Sequence, residues 1–125
     1  MRDPPALVPG ALLPALSFRH ASERRALLHY ALRGYRILGT NVWAGGYELD
    51  LIVRRGRRIV FCEVKSKTGP RFGSPLEMVG PEKIRRIRRA AETWLAARPE
   101  LRGLEVRFDV VTETNLGLRR VSKAF

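Results

Sequence analysis

The stretch "YELDLIVRRGRRIVFCEVKSK", residues 47–67, decides the fold of this chain. Two runs rich in Val, Ile, Leu and Phe flank a short Arg-Gly-Arg junction, a pattern typical of two β-strands joined by a tight turn. We predict strands over Glu48–Arg54 and Arg58–Ser66, paired as an antiparallel hairpin. The same runs carry three acids and a lysine, although a buried carboxylate is costly unless a partner satisfies it. The hairpin therefore holds both the centre of the fold and the first candidate for a functional site.

Helical periodicity appears on either side of this hairpin. A first helix is predicted over Phe18–Arg33, ended by Gly34, with Ala21, Leu28 and Leu32 facing inward. A second helix is predicted to begin at Pro81, since proline suits the first turn of a helix. Its apolar stripe consists of Ile84, Ile87, Ala91, Trp94 and Leu95. Each helix thus has one apolar side with which to cover a sheet.

Further strands complete the predicted sheet. "YRILGTNV" (Tyr35–Val42) precedes the hairpin, "EVRFDVVTET" follows the second helix, and "LRRVSKAF" is a possible short closing strand. The order αβββαβ, with that possible final strand, predicts an α/β sandwich with a mixed central β-sheet flanked by helices. We expect a flexible N-terminal tail over residues 1–16 and a single domain over residues 17–125.

The charge of the chain narrows the class of partner. Its 125 residues include 24 Lys and Arg against 12 Asp and Glu, a formal net charge of +12. Such an excess favours a polyanion, above all a nucleic acid, although it does not separate DNA from RNA. Many of these side chains could instead only solvate the surface. One cysteine excludes an internal disulfide, and no apolar run reaches the roughly 20 residues of a membrane span, so we expect a cytoplasmic protein without a membrane partner.

Strand alternation predicts where the charged side chains of the hairpin meet. Side chains two residues apart share a face, which places Glu48 with Asp50, and Glu63 with Lys65. If Gly56-Arg57 forms a type II′ turn, Asp50 lies directly opposite Glu63, and if Arg55-Gly56 forms the turn, the two become diagonal neighbours. Either register brings all four side chains to one face.

Two adjacent carboxylates repel each other, and a divalent cation relieves that repulsion. Mg²⁺ takes oxygen ligands and is commonly held by one or two carboxylates, waters and a substrate phosphate. Lys65 could then orient or deprotonate a water, or offset charge on the phosphate, as metal-assisted phosphodiester hydrolysis requires. The structural alternative is an exposed Glu63–Lys65 ion pair at the strand end, with Asp50 as a charged residue of a strand edge.

Asp50 followed by "EVK" at Glu63–Lys65 resembles the PD-(D/E)XK motif of restriction-endonuclease-like nucleases. The wider pattern, from "GYRILGTN", "ELDLIV" and "VFCEVKSK" through "FGSPLEMV", "EKIRRIRRAAETWL" and "RFDVV" to "VSKAF", resembles the YraN family of small bacterial proteins. That family is grouped by fold and motif with Holliday-junction-resolvase-like nucleases. The resemblance covers about residues 21–125 and implies a restriction-endonuclease-like sandwich.

The resemblance also implies roles for individual residues. Asp50 and Glu63 would be metal ligands together with the backbone carbonyl of Val64, Lys65 would be the catalytic lysine, and the cofactor would be Mg²⁺ or Mn²⁺. Possible accessory acids are Glu23 and Glu48. The chain departs from the family pattern at Tyr47, where the family usually has glycine, and at Ser22, where "SE" replaces its usual "GE". Resolvase-type enzymes cut two strands as dimers, so a homodimer is a possible state.

Basic side chains outside the motif are candidates for contact with nucleic acid. These are Lys67, Lys83, Arg85, Arg86 and Arg89. We expect a metal-dependent endonuclease that hydrolyses phosphodiester bonds in structured or branched DNA. The alternative is a non-catalytic nucleic-acid-binding module on the same fold, associated with DNA or RNA. Asp109 is expected to pair with a basic residue in a structural role, and Trp43 could stack on bases.

Overall fold

The computed structural model describes residues 21–66, 79–114 and 117–125. In chain order the elements are α1 (Ala21–Ala31), β1 (Arg36–Ala44), β2 (Tyr47–Arg55), β3 (Arg58–Ser66), α2 (Pro81–Ala96), a short 3-10 helix (Pro99–Leu101), β4 (Glu105–Thr114) and β5 (Gly117–Val121). The predicted order is confirmed, including the closing strand, and β3 has the predicted bounds. The predicted tail over residues 1–16 lies outside the described residues.

The five strands form one mixed sheet in the order β1-β2-β3-β4-β5. Neighbouring strands are antiparallel except β3 and β4, which are parallel. A parallel pair needs a crossover connection, and α2 lies within the one that joins β3 to β4. The arrangement is a mixed α/β sandwich consistent with a restriction-endonuclease-like fold. No helix within the three described ranges is long and apolar enough to cross a membrane.

Each face of the sheet has its own apolar core. The α2 face contains Ile52, Ile59 and Phe61 of the sheet with Ile87, Ala90, Ala91 and Trp94 of the helix. The α1 face contains Leu51, Val53, Val60, Cys62 and Val111 of the sheet with Ala26, Leu27 and Tyr30 of the helix. The predicted stripe of α2 is confirmed, and Trp94 is a core residue. The two cores fix the helices on opposite faces of the sheet.

The predicted inward side of α1 is wrong. Leu32 is 82% exposed and Ala21 is also exposed, whereas Ser22, Ala26, Leu27 and Tyr30 are buried. The helix ends at Ala31, and Tyr35 N–H then donates to the carbonyl of Tyr30 at 3.0 Å, with Gly34 at φ 88° between them. This closure is the Schellman arrangement that a glycine after a helix favours, and Leu32 lies in the final turn on the side away from the buried residues.

Strand β2 changes face part-way along its pairing with β1. Leu51 packs on the α1 face, whereas Leu49, two residues earlier on the same strand, packs in the core of the α2 face. In β1, Val42 pairs with Leu49 and packs against that same core. Asn41, directly before Val42, has φ 49°, which is left-handed backbone. β2 therefore breaks its alternation at Asp50, and β1 beside it has irregular backbone, left-handed at Asn41 and with a shift of register between Ile37 and Gly39.

Candidate functional site

Of the two predicted registers of the β2–β3 hairpin, the one with Gly56-Arg57 as the turn is observed. Arg55 pairs with Arg58, and Gly56 at the first central turn position has φ 61°, as a type II′ turn requires. The paired ladder continues to Leu51 opposite Cys62. One further step in this register brings Asp50 opposite Glu63, at the point where the ribbon changes face.

Asp50 fastens the two strands at the end of their ladder. A regular ladder would pair Val64 with Leu49, but Leu49 has turned toward α2. The N–H of Val64 instead donates to Asp50 Oδ2 at 2.9 Å. The Asp50 carboxylate therefore lies in the gap between β2 and β3, close to the backbone of Val64, because that hydrogen bond replaces one of the ladder.

Glu63 is buried next to Asp50 and contacts the α2 side. Only 4% of its surface is exposed. The Tyr47 hydroxyl donates to its Oε1 at 3.3 Å, and the ammonium of Lys83, in the first turn of α2, lies 4.0 Å from the same oxygen. The predicted basic residue Lys83 is thus placed at the carboxylate pair.

The two carboxyl groups have unfavourable surroundings as anions. Burial, and then the charge of Asp50, raises the pKa of Glu63 to about 8. Burial also raises the pKa of Asp50, against the Val64 N–H that lowers it, and the charge of Glu23 raises it further. The charges of Lys83 and Lys65 lower the pKa of both carboxyls but do not reverse these shifts.

Lys65 and Lys83 are neighbouring cations beside these acids. Burial, followed by the proximity of Lys83, lowers the pKa of the Lys65 ammonium. The negative charges of Glu63 and Asp50 raise that pKa in part but do not reverse the shift. A lysine with a lowered pKa releases its proton more readily and can then accept one, as a general base must.

The two accessory acids lie in different places. Glu23, in the first turn of α1, accepts a hydrogen bond of 3.4 Å from Asn41 Nδ2, and its charge reaches Asp50. Glu48 alternates with Tyr47 and Leu49, which both pack toward α2, so it lies on the opposite face of the ribbon. The prediction that Glu48 shares a face with Asp50 is wrong because the strand changes face at Asp50. Any accessory role for either acid stays a prediction.

The remaining basic candidates lie along α2 or outside the described residues. Arg85 and Arg86 both form ion pairs with Glu82 on the same helix, the second at 3.2 Å. Arg89 is exposed. Lys67 lies outside the described residues. Contact of these side chains with nucleic acid stays a prediction.

The donor set fits a hard divalent cation held by few protein ligands. Among the described residues, Asp50 is contacted through Oδ2 and Glu63 through Oε1, which leaves the other oxygen of each carboxylate for a ligand. The Val64 carbonyl, the third oxygen that the family resemblance implies, stays a prediction. Within the described ranges no group of three or more His, Cys, Asp or Glu side chains is placed to hold a metal ion. Mg²⁺ suits such a site, because it keeps several waters and binds substrate phosphate.

Comparison with known proteins gives the family. The model of "Uncharacterised protein family UPF0102" matches residues 22–112. This chain belongs to that family. It is 40% identical to a UPF0102 protein of Alkalilimnicola ehrlichii over 104 residues, which cover 83% of this chain and 82% of the relative. A UPF0102 protein of Methylorubrum extorquens is 43% identical over 109 residues (86% and 83%), and one of Frankia alni is 48% identical over 89 residues (71% and 73%). The resemblance to the YraN family is thereby confirmed.

Sequence reasoning missed two residues at the site of this UPF0102 chain. Tyr47 was interpreted only as a change at the start of a strand, yet its hydroxyl contacts Glu63. Asn41 was not singled out, although asparagine tolerates left-handed backbone better than most residues. Its contact with Glu23 joins α1 to the ribbon at the face change. For Asn41 the only available signal was an asparagine inside an otherwise apolar strand.

Asp109 of the UPF0102 chain has the structural role that was expected. It is fully buried and accepts hydrogen bonds from the Tyr30 hydroxyl at 2.6 Å, Arg120 Nε at 3.2 Å and the Lys123 N–H at 3.2 Å. Tyr30 belongs to the α1 core, so this network lies on the face away from Glu63. Asp109 therefore ties α1 and the end of the chain to β4.

Proposed function

We propose that this UPF0102 protein is a metal-dependent endonuclease that hydrolyses phosphodiester bonds in structured or branched DNA. One observation carries the proposal: Asp50 and Glu63 meet at the split between β2 and β3, and each has a carboxylate oxygen that no described side chain engages. Lys65 and Lys83 stand beside them. Two acids and a lysine around a gap are the parts that metal-assisted phosphodiester hydrolysis needs.

The residues divide the work of this reaction by position. Asp50, Glu63 and the Val64 carbonyl would hold Mg²⁺ or Mn²⁺, which when bound supplies positive charge that polarises the scissile phosphodiester. The Val64 N–H fixes one oxygen of Asp50, and the Tyr47 hydroxyl orients Glu63. Each contact holds one oxygen of its carboxylate and so fixes the direction of the second oxygen. The side chains are then ordered before a metal binds, which lowers the entropy cost of forming the site.

The lysines act on the water and on the phosphate. Lys65, whose pKa burial and Lys83 lower, takes a proton from the attacking water as that oxygen bonds to phosphorus. The ester bond to the leaving oxygen then breaks, and that oxygen takes a proton from solvent water to leave as an alcohol. Lys83 stays close to the gap and offsets negative charge on the phosphate, as a compact cation does at phosphoryl groups. Arg85, Arg86 and Arg89 lie farther along the same helix, where they can contact the backbone on one side of the cut.

Branched DNA as substrate, and a homodimer that cuts two strands, rest on the resemblance to Holliday-junction-resolvase-like nucleases. The net charge of +12 supports a nucleic-acid partner of either kind. A second candidate function is a nucleic-acid-binding module that keeps the fold without cutting. The specific observation in its favour is that the described residues offer two carboxylates and no group of three metal-ligating side chains.

Cleavage of labelled DNA separates these two functions. Linear duplex, single strand, flap and four-way junction are incubated with Mn²⁺, Mg²⁺ or EDTA. The variants are Asp50→Asn and Lys65→Ala, with Glu92→Gln, an exposed acid on α2, as the matched control. All four proteins are first compared by circular dichroism and urea unfolding.

We expect the wild type to cut DNA only with metal and to favour one branched substrate. The rate of cutting should be retained in Glu92→Gln and should fall by at least a hundredfold in Asp50→Asn and in Lys65→Ala. Tight binding without cutting by the wild type, unaltered in Asp50→Asn and Lys65→Ala, would leave the binding module as the function.

A further inference from the structure

A second basic surface lies at the opposite end of the hairpin from the candidate site. The sequence "RRGRR", residues 54–58, forms the β2–β3 turn. The turn and the segment before β4 enclose an open cavity of about 490 Å³. We call it the arginine cavity; its lining residues are Arg55, Arg57, Arg58, Gly103, Leu104 and Glu105.

The guanidinium groups of this cavity are held in place largely by uncharged partners. Arg57 Nη2 donates to the carbonyl of Gly103 at 3.3 Å. Arg55 Nη1 donates to the carbonyl of Arg33 at 2.9 Å, and its guanidinium lies 4.9 Å from the centre of the Tyr35 ring. Carbonyl and aromatic contacts orient a guanidinium without cancelling its charge. The arginines are therefore positioned before any anion arrives, which reduces the entropy lost on binding.

One acid lines the cavity, and it is already engaged. Glu105 accepts a hydrogen bond from Arg58 Nε at 3.0 Å. Three arginines against this one glutamate leave the lining with a net charge of +2. A side chain added at Gly56 or at Gly103 would meet no atom within 4 Å, so the backbone of the rim is open to approach. The cavity offers an anion both positive charge and room.

The arginine cavity is too far from the candidate site to be part of it. Arg58 is the first residue of β3, while Glu63 and Lys65 lie five and seven residues further along the strand. At about 3.3 Å per strand residue the separation is roughly 16 to 23 Å. This exceeds the Debye length of about 8 Å at physiological ionic strength, so the two surfaces attract anions independently.

We propose that the arginine cavity binds backbone phosphates of nucleic acid and is a second contact surface, separate from the candidate site. Planar guanidinium forks match the oxygens of a phosphate diester, and backbone contacts of this kind need no base recognition. The inference rests on the nucleic-acid part of the proposed function and does not depend on cleavage. One chain then engages two backbone segments, one at each end of β3.

The test is a titration of the isotopically labelled protein with a 12-base-pair DNA duplex in EDTA, followed by NMR. The reporters are the amide groups of Gly56 and Gly103 and the side-chain Nε–H of Arg58, because they border the cavity. The variant is Arg55→Gln combined with Arg57→Gln. The matched control, Arg24→Gln combined with Arg119→Gln, removes the same charge from exposed positions on α1 and β5.

We expect saturable shifts of these reporters in the wild type. At 0.1 M salt the double variant should weaken their binding curve on the order of tenfold for each lost phosphate contact, and lower its salt slope by about two. The control should change that curve by less than threefold. The spectra without DNA establish that each variant is folded.

Three outcomes would overturn the inference. The reporters do not shift while residues of α2 do; or the control weakens their curve as much as the cavity variant; or free tripolyphosphate occupies the cavity at concentrations where duplex does not. Because the titration contains EDTA, a failure to cut DNA in the cleavage assay leaves this result unaffected. Conversely, if the reporters of the arginine cavity do not shift, the proposal of a nuclease site at Asp50 and Glu63 is not affected.

Discussion

Replacing Glu63 by glutamine should change how the stability of the protein depends on pH. Burial and Asp50 raise the pKa of this carboxyl from 4.5 to about 8. Between these values the folded protein keeps a proton that the unfolded chain has released. Protonated Glu63 therefore makes its full contribution to the stability of the wild type below about pH 4.5, and this contribution is lost as the pH rises toward 8. Glutamine has no such proton and no such loss.

The size of the effect follows from proton linkage. One proton held only by the folded state lowers the free energy of unfolding by up to about 1.4 kcal/mol per pH unit. Between pH 5 and pH 7 the advantage of Glu63→Gln over the wild type should therefore grow by about 2–3 kcal/mol. Because the charge of Asp50 contributes to the shift at Glu63, the difference reports the proton uptake of this pair when its second carboxyl is removed.

Urea unfolding in EDTA, followed by the fluorescence of buried Trp94, measures this difference at half-unit steps of pH. Glu92→Gln, an exposed substitution of the same kind on α2, should track the wild type throughout. A difference in free energy of unfolding between Glu63→Gln and the wild type that stays constant across this pH range, within about 0.5 kcal/mol, would refute the reasoning. It would mean that the buried carboxyl is as easily ionised in the folded protein as in the unfolded chain.

Three further predictions concern the metal, the lysine pair and the buried network. Mn²⁺ at a fixed concentration, a hundred times its Kd at pH 8.5, should stabilise the wild type by about 2.7 kcal/mol at that pH in calorimetry. The stabilisation should be smaller at pH 6.5, because protons compete for the carboxylates and raise the Kd, and an equal stabilisation of Asp50→Asn would contradict this. Lys83→Gln removes the cation that, after burial, lowers the pKa of Lys65, so the pKa of Lys65 should rise. The acid limb of the pH–rate profile for cleavage should then move to higher pH, and an unmoved limb would count against Lys65 as the base. Asp109→Asn should lower the free energy of urea unfolding by about 3–5 kcal/mol, because it leaves Arg120 without its buried charged partner. Tyr30→Phe removes only a hydrogen bond to Asp109 and should lower it by about 1–3 kcal/mol. Equal losses in the two variants would show that the charge is irrelevant.

What the sequence could predict was local. The bounds of β3 follow from alternation, a property of neighbouring residues, which also narrows the hairpin to two registers that both place Asp50 and Glu63 on one face. The stripe of α2 follows in the same way from helical spacing. Asp50 and Glu63 were therefore brought together correctly before any tertiary contact was known.

What the sequence could not predict depends on the helices. Alternation placed Glu48 beside Asp50, but Leu49 leaves the expected face to fill the core under α2. That packing decides the face change, and no pattern within β2 encodes it. The contact of Lys83 with Glu63 likewise exists only because the first turn of α2 returns to the end of β3. Helical spacing alone fixes no such distance.

The placement of Glu63 weighs function against stability. Ile59 and Phe61 share its strand face and are buried in the α2 core, so an apolar side chain at position 63 would extend that core. The carboxyl instead stays 4% exposed, and neither the Tyr47 hydroxyl nor Lys83 returns its pKa to the usual range. Under the proposed function, the repulsion that weakens the metal-free protein is what a divalent cation relieves, since the ion adds two positive charges where the two acids face each other. Part of the metal's binding free energy is then recovered stability, which is why stability and metal affinity should both respond to the same substitution at position 63.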